Sequence, residues 1–303
     1  MHPRCHICGT ESAFLMRKDD YDLFRCPKCL LVFVHPQPTL EYLRTKVYSY
    51  ESGFQKGRAQ DVSKVPPSSR YVAMLELLTR LKPHANVLDV GSGGGHFLYR
   101  AKERGFEVTG VELNKRVADS ARAQGFAVYD GTVEEAPIAP GSFDIVVLGE
   151  VIEHVNAPRS LVRASARAVS KDGLLMITTP NLDCPWSKAT FVLYRFFKIP
   201  WSSVTPPYHL FQFSANNLEL LLSQEGFELK EAKYLPPPRL SYELGSLHLI
   251  KRFKKSRSLF DALYIGFAFA LYIPLHALCQ LLHPFLSKDF SMIHIYERTS
   301  GIQ

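Results

Sequence analysis

The sequence predicts an α/β protein in which helices cover both faces of a mostly parallel sheet. Three observations indicate this class. Short β-branched runs alternate with amphipathic runs between residues 70 and 235. A glycine-rich turn joins one of those strands to a helix. Two Cys-x-x-Cys pairs precede the whole region. Alternating strands and helices favour a parallel sheet, and the cysteines predict a small separate module before it.

Composition and charge narrow the class of protein. The chain has 303 residues, of which 46% are hydrophobic and 21% charged, which excludes a disordered, collagen-like or coiled-coil chain. The formal net charge is +7, but five basic side chains lie in one short run at 251–257. The remainder is close to neutral, which disfavours a nucleic-acid partner. An anionic membrane surface is therefore the expected partner of the basic run.

Shifts in composition divide the chain into five stretches. Residues 66–69 read Pro-Pro-Ser-Ser, which is typical of a linker, and residues 236–238 are all proline. The expected units are a cysteine module at 1–45, a linker at 46–69, the α/β core at 70–235, a basic and apolar insertion at 236–287, and a final core strand at 288–303.

The two cysteine pairs have the spacing of a zinc ribbon. Cys5 and Cys8 are separated from Cys26 and Cys29 by 17 residues, and four thiolates complete a tetrahedral zinc site. A site with four protein ligands has no open position, so its zinc would be structural. Four unrelated buried thiols are the alternative. The N-terminus lacks the apolar stretch of a signal peptide, so we expect a reducing, cytoplasmic compartment.

The glycine-rich turn at 91–95 predicts a ligand at the start of a helix. A dinucleotide fingerprint beginning at Gly91 would require glycine at position 96, where the chain has His96. Asp89 would repel a pyrophosphate and favour a ligand with an ammonium and a sulfonium. Glu112, 21 residues after Gly91, ends the next strand, where an acid commonly holds two ribose hydroxyls. Together these residues predict a site for S-adenosyl-L-methionine (SAM).

With these motifs the sequence resembles the class I SAM-dependent methyltransferases over about residues 70–235 and 288–303. The resemblance is carried by residues 88–95, 111–112, 141–146, 149–155, 173–181 and 209–214. It implies a Rossmann-like sheet that the last strand rejoins after an apolar helical insertion. Members of this family often have an adenine-binding acid after the third strand, where this chain has Asp130-Gly131-Thr132. The implied cofactor contacts are Asp89, Gly91, Ser92, Gly93, Glu112, Asp130 and Thr132.

A cluster of titratable residues follows the fourth predicted strand. Glu150, Glu153 and His154 have i, i+3 and i+4 spacing, which places them on one helix face. Similar stretches in quinone-biosynthesis O-methyltransferases hold a divalent metal, so the resemblance implies an optional metal on these three residues. The expected catalytic residues are His209, His154 and Glu150. The alternatives are a solvated charged turn and a packed, backbone-bonded His209.

Residues 262–287 contain no Asp, Glu, Lys or Arg. Pro274 divides this run into two pieces, each too short to cross a bilayer. If the final strand rejoins the sheet, a single crossing is excluded. We therefore expect a helical hairpin that dips into one leaflet, or a soluble lid as the alternative. The aromatic-rich stretch at 186–201 predicts an interfacial helix or the wall of an apolar pocket.

The sequence therefore predicts a SAM-dependent methyltransferase at the cytoplasmic face of the membrane. Its expected acceptor is a lipophilic or lipid-linked small molecule that is methylated at oxygen. The alternatives are an RNA methyltransferase that uses the zinc ribbon to grip RNA, and a SAM-binding protein without catalysis.

Overall fold

The computed structural model describes residues 2–18, 20–49, 61–199, 201–237, 240, 258–286 and 288–299, so the basic run at 251–257 lies outside it. Within these residues the strands are β1 (Ala13–Lys18), β2 (Tyr21–Arg25), β3 (Val32–Val34), β4 (Asn86–Val90), β5 (Glu107–Glu112), β6 (Ala127–Asp130), β7 (Phe143–Gly149), β8 (Val169–Pro180), β9 (Phe211–Gln212), β10 (Phe227–Leu235) and β11 (Ser291–Arg298). The α-helices are α1 (Leu40–Tyr42), α2 (Ser69–Leu81), α3 (His96–Lys102), α4 (Lys115–Ala123), α5 (Pro158–Ala168), α6 (Pro185–Phe197), α7 (Ala215–Ser223) and α8 (Leu259–Leu282).

A seven-stranded sheet with the order β10-β11-β8-β7-β4-β5-β6 forms the centre of the molecule. Five adjacent strands of this sheet are parallel to one another: β8, β7, β4, β5 and β6. Strand β11 is antiparallel to both of its neighbours, β10 and β8. The predicted α/β, Rossmann-like class and the return of the last strand are therefore confirmed. Because β4, β5 and β7 are parallel, their carboxyl ends lie at one edge of the sheet. Ligands of such sheets bind at that edge.

Alternation along the central strands assigns their side chains to two cores. Leu88 and Val146 belong to the core that α5 covers, whereas Val87 and Val147 belong to the core that α2 and α3 cover. A period of two with both faces buried is what a parallel sheet requires. The β-branched runs in the sequence therefore form strands that need no polar face.

The N-terminal strands form a second sheet with the order β1-β2-β3-β9. The four cysteines lie in the turns beside these strands, and we call this sheet the cysteine-bearing sheet. Its last strand, β9, comes from the core region of the sequence, and Phe33 of β3 is opposite Phe211 of β9. The ring of His6 packs on both phenylalanines, with centroids 5.2 Å from Phe33 and 4.9 Å from Phe211. The N-terminal strands are thus joined to the core by backbone pairing as well as by side-chain packing.

The apolar segment forms one continuous helix, α8, with Pro274 inside it. The expected helical hairpin is therefore wrong. A proline removes one helical hydrogen bond, but packing against neighbouring helices can outweigh that loss. Here Trp186 of α6 lies edge-on to Tyr272 and His276 of α8, with centroid distances of 5.5 and 5.4 Å. By length and composition only, the helical run Leu259–Phe285 is able to cross a membrane. Within its apolar stretch of 18 residues, 22% is buried.

Candidate cofactor and catalytic site

The glycine-rich loop lies between β4 and α3 and has backbone angles that require glycine. Gly91 has φ +77°, and a Cβ at this position would lie 2.5 Å from Cγ2 of Val151. Gly95, with φ +90°, is the residue before the first turn of α3. A side chain at Gly91 would therefore collide with the loop after β7, which closes one side of the site.

Glu112 ends β5 beside this loop and is buried. Its carboxylate accepts hydrogen bonds from the backbone N–H of Gly93 and of Asn114, both at 2.8 Å. The carboxylate is thereby fixed against the glycine loop at the carboxyl edge of the sheet. Asp89, one strand away on β4, is buried as well.

Two cavities flank the glycine loop, and Gly91 and Glu150 line both of them. The first has a volume of about 380 Å³ and lies on the side of Glu112 and Thr132. The second has a volume of about 320 Å³ and lies on the side of Gly93. Cavities of this size accommodate the parts of one extended small molecule.

The predicted cofactor contacts occupy different places around these cavities. Gly91, Glu112 and Thr132 line the first cavity, and Gly91, Ser92 and Gly93 line the second. Asp89 lies beneath the loop and is not among the lining residues. The carboxylate of Asp130 lies 3.3 Å from the guanidinium of Arg122 on α4, outside both cavities.

Arg70, which sequence reasoning missed, lines the second cavity from the first turn of α2. Its guanidinium lies 3.0 Å from the carboxylate of Glu150. Glu150 also accepts a hydrogen bond from the Thr178 hydroxyl at 3.2 Å, and its φ of +57° is unusual for a residue other than glycine. No motif surrounds Arg70; the only signal in the sequence is a basic residue in the helix just before the first core strand.

Glu153, His154 and His209 come together behind the first cavity, with one ligand atom from each lying within 4.8 Å of the others. Neither carboxyl oxygen of Glu153 has a hydrogen-bond partner among the described residues. Burial, and then the neighbouring Glu150 carboxylate, raise the pKa of Glu153 well above its usual range. Burial, and then His154, lower the pKa of His209 well below its usual range.

The sequence predicted a metal site made of Glu150, Glu153 and His154. In the structure His209, rather than Glu150, lies beside Glu153 and His154. Glu150 is held by Arg70 and Thr178 instead. Of the predicted catalytic residues, Glu150 and His154 line the first cavity and His209 does not. The ring of His209 lies behind that of His154, with the centroids 4.9 Å apart.

The four cysteines of the N-terminal sheet form one cluster. The Sγ distances are 3.4 Å between Cys5 and Cys29, 3.4 Å between Cys8 and Cys26, and 3.8 Å between Cys8 and Cys29. Sulfurs of a tetrahedral zinc site with Zn–S bonds of ~2.3 Å lie ~3.8 Å apart. The hydrogen bond between Cys5 and Cys29 lowers the pKa of the Cys5 thiol to about 5 and raises the pKa of the Cys29 thiol. The donor set therefore fits a structural zinc.

Comparison with known proteins agrees with this architecture. Residues 69–232 match a family described as a methyltransferase domain. A ubiquinone biosynthesis O-methyltransferase from Sodalis glossinidius is 39% identical over 103 residues, which are 32% of this chain and 41% of that protein. One from Idiomarina loihiensis is 37% identical over 102 residues, 31% and 42% of the two chains. This chain thus spans less than half the length of the curated relatives it matches.

Two solved structures share the fold. A 1,6-didemethyltoxoflavin-N1-methyltransferase from Burkholderia thailandensis has a TM-score of 0.52 and 14% identity, covering 95% of this chain and 100% of that one. A phosphoethanolamine N-methyltransferase 2 from Haemonchus contortus has a TM-score of 0.54 and 18% identity, covering 89% of this chain and 63% of that one. Because the family match spans more than half of the sequence and the sheet order agrees with it, this chain belongs to the methyltransferase-domain family.

Proposed function

We propose that this protein is a SAM-dependent methyltransferase that methylates an oxygen of a lipophilic or lipid-linked small molecule at the cytoplasmic membrane face. The observation that carries the proposal is the pair of cavities that meet at the glycine loop, with Glu112 fixed beside it. The curated relatives are named for an O-methyltransferase step in ubiquinone biosynthesis, which supports oxygen as the acceptor atom.

We place the cofactor across the loop. The adenosine would occupy the first cavity, where the carboxylate of Glu112 can accept hydrogen bonds from two ribose hydroxyls. The amino-acid end would occupy the second cavity. There the ion pair of Arg70 and Glu150 offers one charge for a carboxylate and one for an ammonium. The methyl group would then point to the acceptor from the region of Glu150 and His154.

His154 is the proposed base for the acceptor hydroxyl. Its Nδ1 lies 2.6 Å from the carbonyl oxygen of Tyr208 and therefore carries the proton that this carbonyl accepts. Its Nε2 then carries the lone pair that can take the acceptor proton. A positioned base contributes about 10²–10⁴-fold, and alignment of the reacting atoms about 7–11 kcal/mol. Alignment of the acceptor with the methyl group therefore contributes more to the rate than the base does.

A divalent cation bound to the same cluster is the alternative to this base, because it would occupy the lone pair of His154 Nε2, which lies 3.9 Å from the Glu153 carboxyl. Glu153, His154 and His209 would hold it, since the Glu153 carboxyl is buried and has no described hydrogen-bond partner. When bound, such a cation lowers the pKa of an acceptor hydroxyl and orients it. Dialysis against a chelator, followed by isothermal calorimetry with Mn²⁺ on the wild type and on His209→Ala, tests this assignment. Equal Mn²⁺ binding by both proteins would remove His209 from the site.

Attachment to the membrane rests on the apolar surface of α6, α8 and the short turn His283–Phe285 that follows α8. Phe196, Leu259 and Phe285 are 72%, 76% and 83% exposed, far more than large apolar side chains usually are. The basic run at 251–257 directly precedes α8 in the sequence. Anionic lipid attracts such a run by ~1 kcal/mol per charge. We therefore propose that this surface rests in one leaflet and delivers a lipophilic acceptor to the site.

Flotation with phospholipid vesicles tests the attachment. The wild type should float with vesicles that contain phosphatidylglycerol and only weakly with neutral ones. The F196S/F285S variant should remain at the bottom, whereas Phe14→Ser, which removes an exposed phenylalanine from β1, should float like the wild type.

In cells, protease should cut tags placed before 251 and after 303 from the cytoplasmic side. Protection of the C-terminal tag alone would overturn the proposed topology.

A further inference from the structure

A third and larger cavity lies between the cysteine-bearing sheet and helices α6 and α7. Its volume is about 590 Å³, and none of its lining residues lines the two cavities beside the glycine loop. We propose that it binds a single-chain amphipathic anion, that is, a molecule with an apolar chain and a phosphate or carboxylate head. Binding in this cavity does not require that the protein be a methyltransferase, whereas the route by which a lipid would enter rests on the proposed membrane attachment.

The walls of this cavity suit an apolar chain. Leu15 and Val32 contribute from the cysteine-bearing sheet, and Phe191 and Trp201 contribute from the opposite side. The two aromatic rings lie 4.7 Å apart at 55°, so they form one tilted surface. Apolar and aromatic walls with a few polar groups are typical of sites for small molecules.

The charged residues of the lining suit an anionic head. Arg25, Lys28 and Lys188 line the cavity together with a single acid, Asp183. Lys188 pairs with that acid at 2.7 Å. Arg25 and Lys28 have no acidic partner in the part of the chain that the structure describes. Cys29 also lines the cavity, so the thiolates of the proposed zinc site supply negative charge near both side chains. The lining therefore carries two basic side chains that no described carboxylate pairs with, beside an apolar floor, which is the pattern that an amphipathic anion matches.

The cavity opens beside the exposed apolar residues of α6, and two of its lining residues lie near His209. Val192, half exposed on α6, lines the cavity, and the apolar surface with Phe196 follows one helical turn later. In the other direction, Leu182 and Ser187 also line a small cavity that contains His209. Under the proposed membrane attachment, an occupant can therefore enter from the bilayer, and two of the residues that line its cavity also line a pocket with His209.

Calorimetric titration of the full-length protein with dodecyl phosphate, below the concentration at which it forms micelles, tests the proposal. The wild type should bind dodecyl phosphate at least tenfold more tightly than inorganic phosphate or dodecyl maltoside. R25Q/K28Q should lose at least tenfold in affinity for dodecyl phosphate. The matched control K102Q/K171Q removes two charges from exposed positions outside the cavity and should bind like the wild type. Val192→Trp, which narrows the entrance, should weaken binding as well.

Affinity for dodecyl phosphate equal to that for inorganic phosphate, or equal in R25Q/K28Q and the wild type, would overturn the proposal. SAM binding measured on the same samples separates this result from a failure of the proposed methyltransferase activity. A second titration in the presence of phosphatidylglycerol vesicles distinguishes two sources of the ligand. Release of the protein from vesicles by dodecyl phosphate supports a bilayer lipid in the cavity. Binding without release supports the chain of a lipid-linked molecule.

Discussion

At the scale of single residues, the site depends on a few side chains that the backbone fixes before any ligand arrives. Glu112 already accepts two backbone hydrogen bonds, and Glu150 is held in an uncommon backbone conformation by its contacts with Arg70 and Thr178. Residues in such conformations persist only where the surrounding structure overcomes their cost, and they cluster at functional sites. The charges that we propose to meet the cofactor are thus already in place without a ligand.

Removing the Glu112 carboxylate should weaken SAM binding. We expect Glu112→Ala to raise the dissociation constant at least tenfold, which corresponds to about 1.4 kcal/mol, because the ribose loses its acceptor and the Gly93 N–H loses its partner. Isothermal calorimetry measures this. Glu107→Ala, at the exposed opposite end of β5, is the matched control and should bind SAM normally. Equal affinities for the two variants would remove Glu112 from the site.

At the scale of elements, the cysteine-bearing sheet and the core depend on each other because β3 pairs with β9. The predicted cofactor contacts lie on or directly after β4, β5 and β6. We therefore expect the cysteine cluster to act through stability and not through the reaction. We expect Cys26→Ser to lose its zinc, measured by elemental analysis, and to unfold at a lower temperature. Cys279→Ser, which changes a buried cysteine outside the cluster, should retain about one zinc per chain. Zinc retained in Cys26→Ser would contradict the assignment.

The last strand, β11, contains a buried histidine that makes stability depend on pH. Burial lowers the pKa of His294 from 6.5 to about 4, and the hydroxyls of Tyr234 and Tyr296 lie 3.1 and 3.0 Å from its ring nitrogens. The unfolded chain therefore binds the proton first as pH falls, so stability decreases from pH 6.5 towards pH 4. The loss is on the order of 3 kcal/mol.

Denaturant unfolding at several pH values checks this prediction. His294→Gln keeps a polar side chain that can contact both tyrosines, yet it removes the titrating group. Its free energy of unfolding should fall less steeply than that of the wild type below pH 6.5. Parallel curves for the two proteins would show that His294 does not carry the dependence.

At the scale of the whole molecule, the sequence was sufficient to predict the sheet, the glycine loop and the cysteine cluster, because each has a local pattern. In the structure the period-two runs form the strands of the sheet, and Glu112 lies beside the glycine loop. The spaced cysteines form one cluster. The features that the sequence did not predict correctly depend on contacts between residues far apart in the chain. Pro274 remained inside a helix because α6 packs on α8, and Arg70 approaches Glu150 only after the sheet has formed.

The central claim is that this protein transfers a methyl group from SAM to a lipophilic small molecule. The most direct measurement incubates the purified full-length protein with SAM carrying a labelled methyl group and with membrane, RNA and protein fractions of a cell extract. The account predicts label in organic-soluble material from the membrane fraction, retained after mild base as expected for a methyl ether and absent with Glu112→Ala. Label in RNA or protein, or no transfer to any fraction, would contradict it.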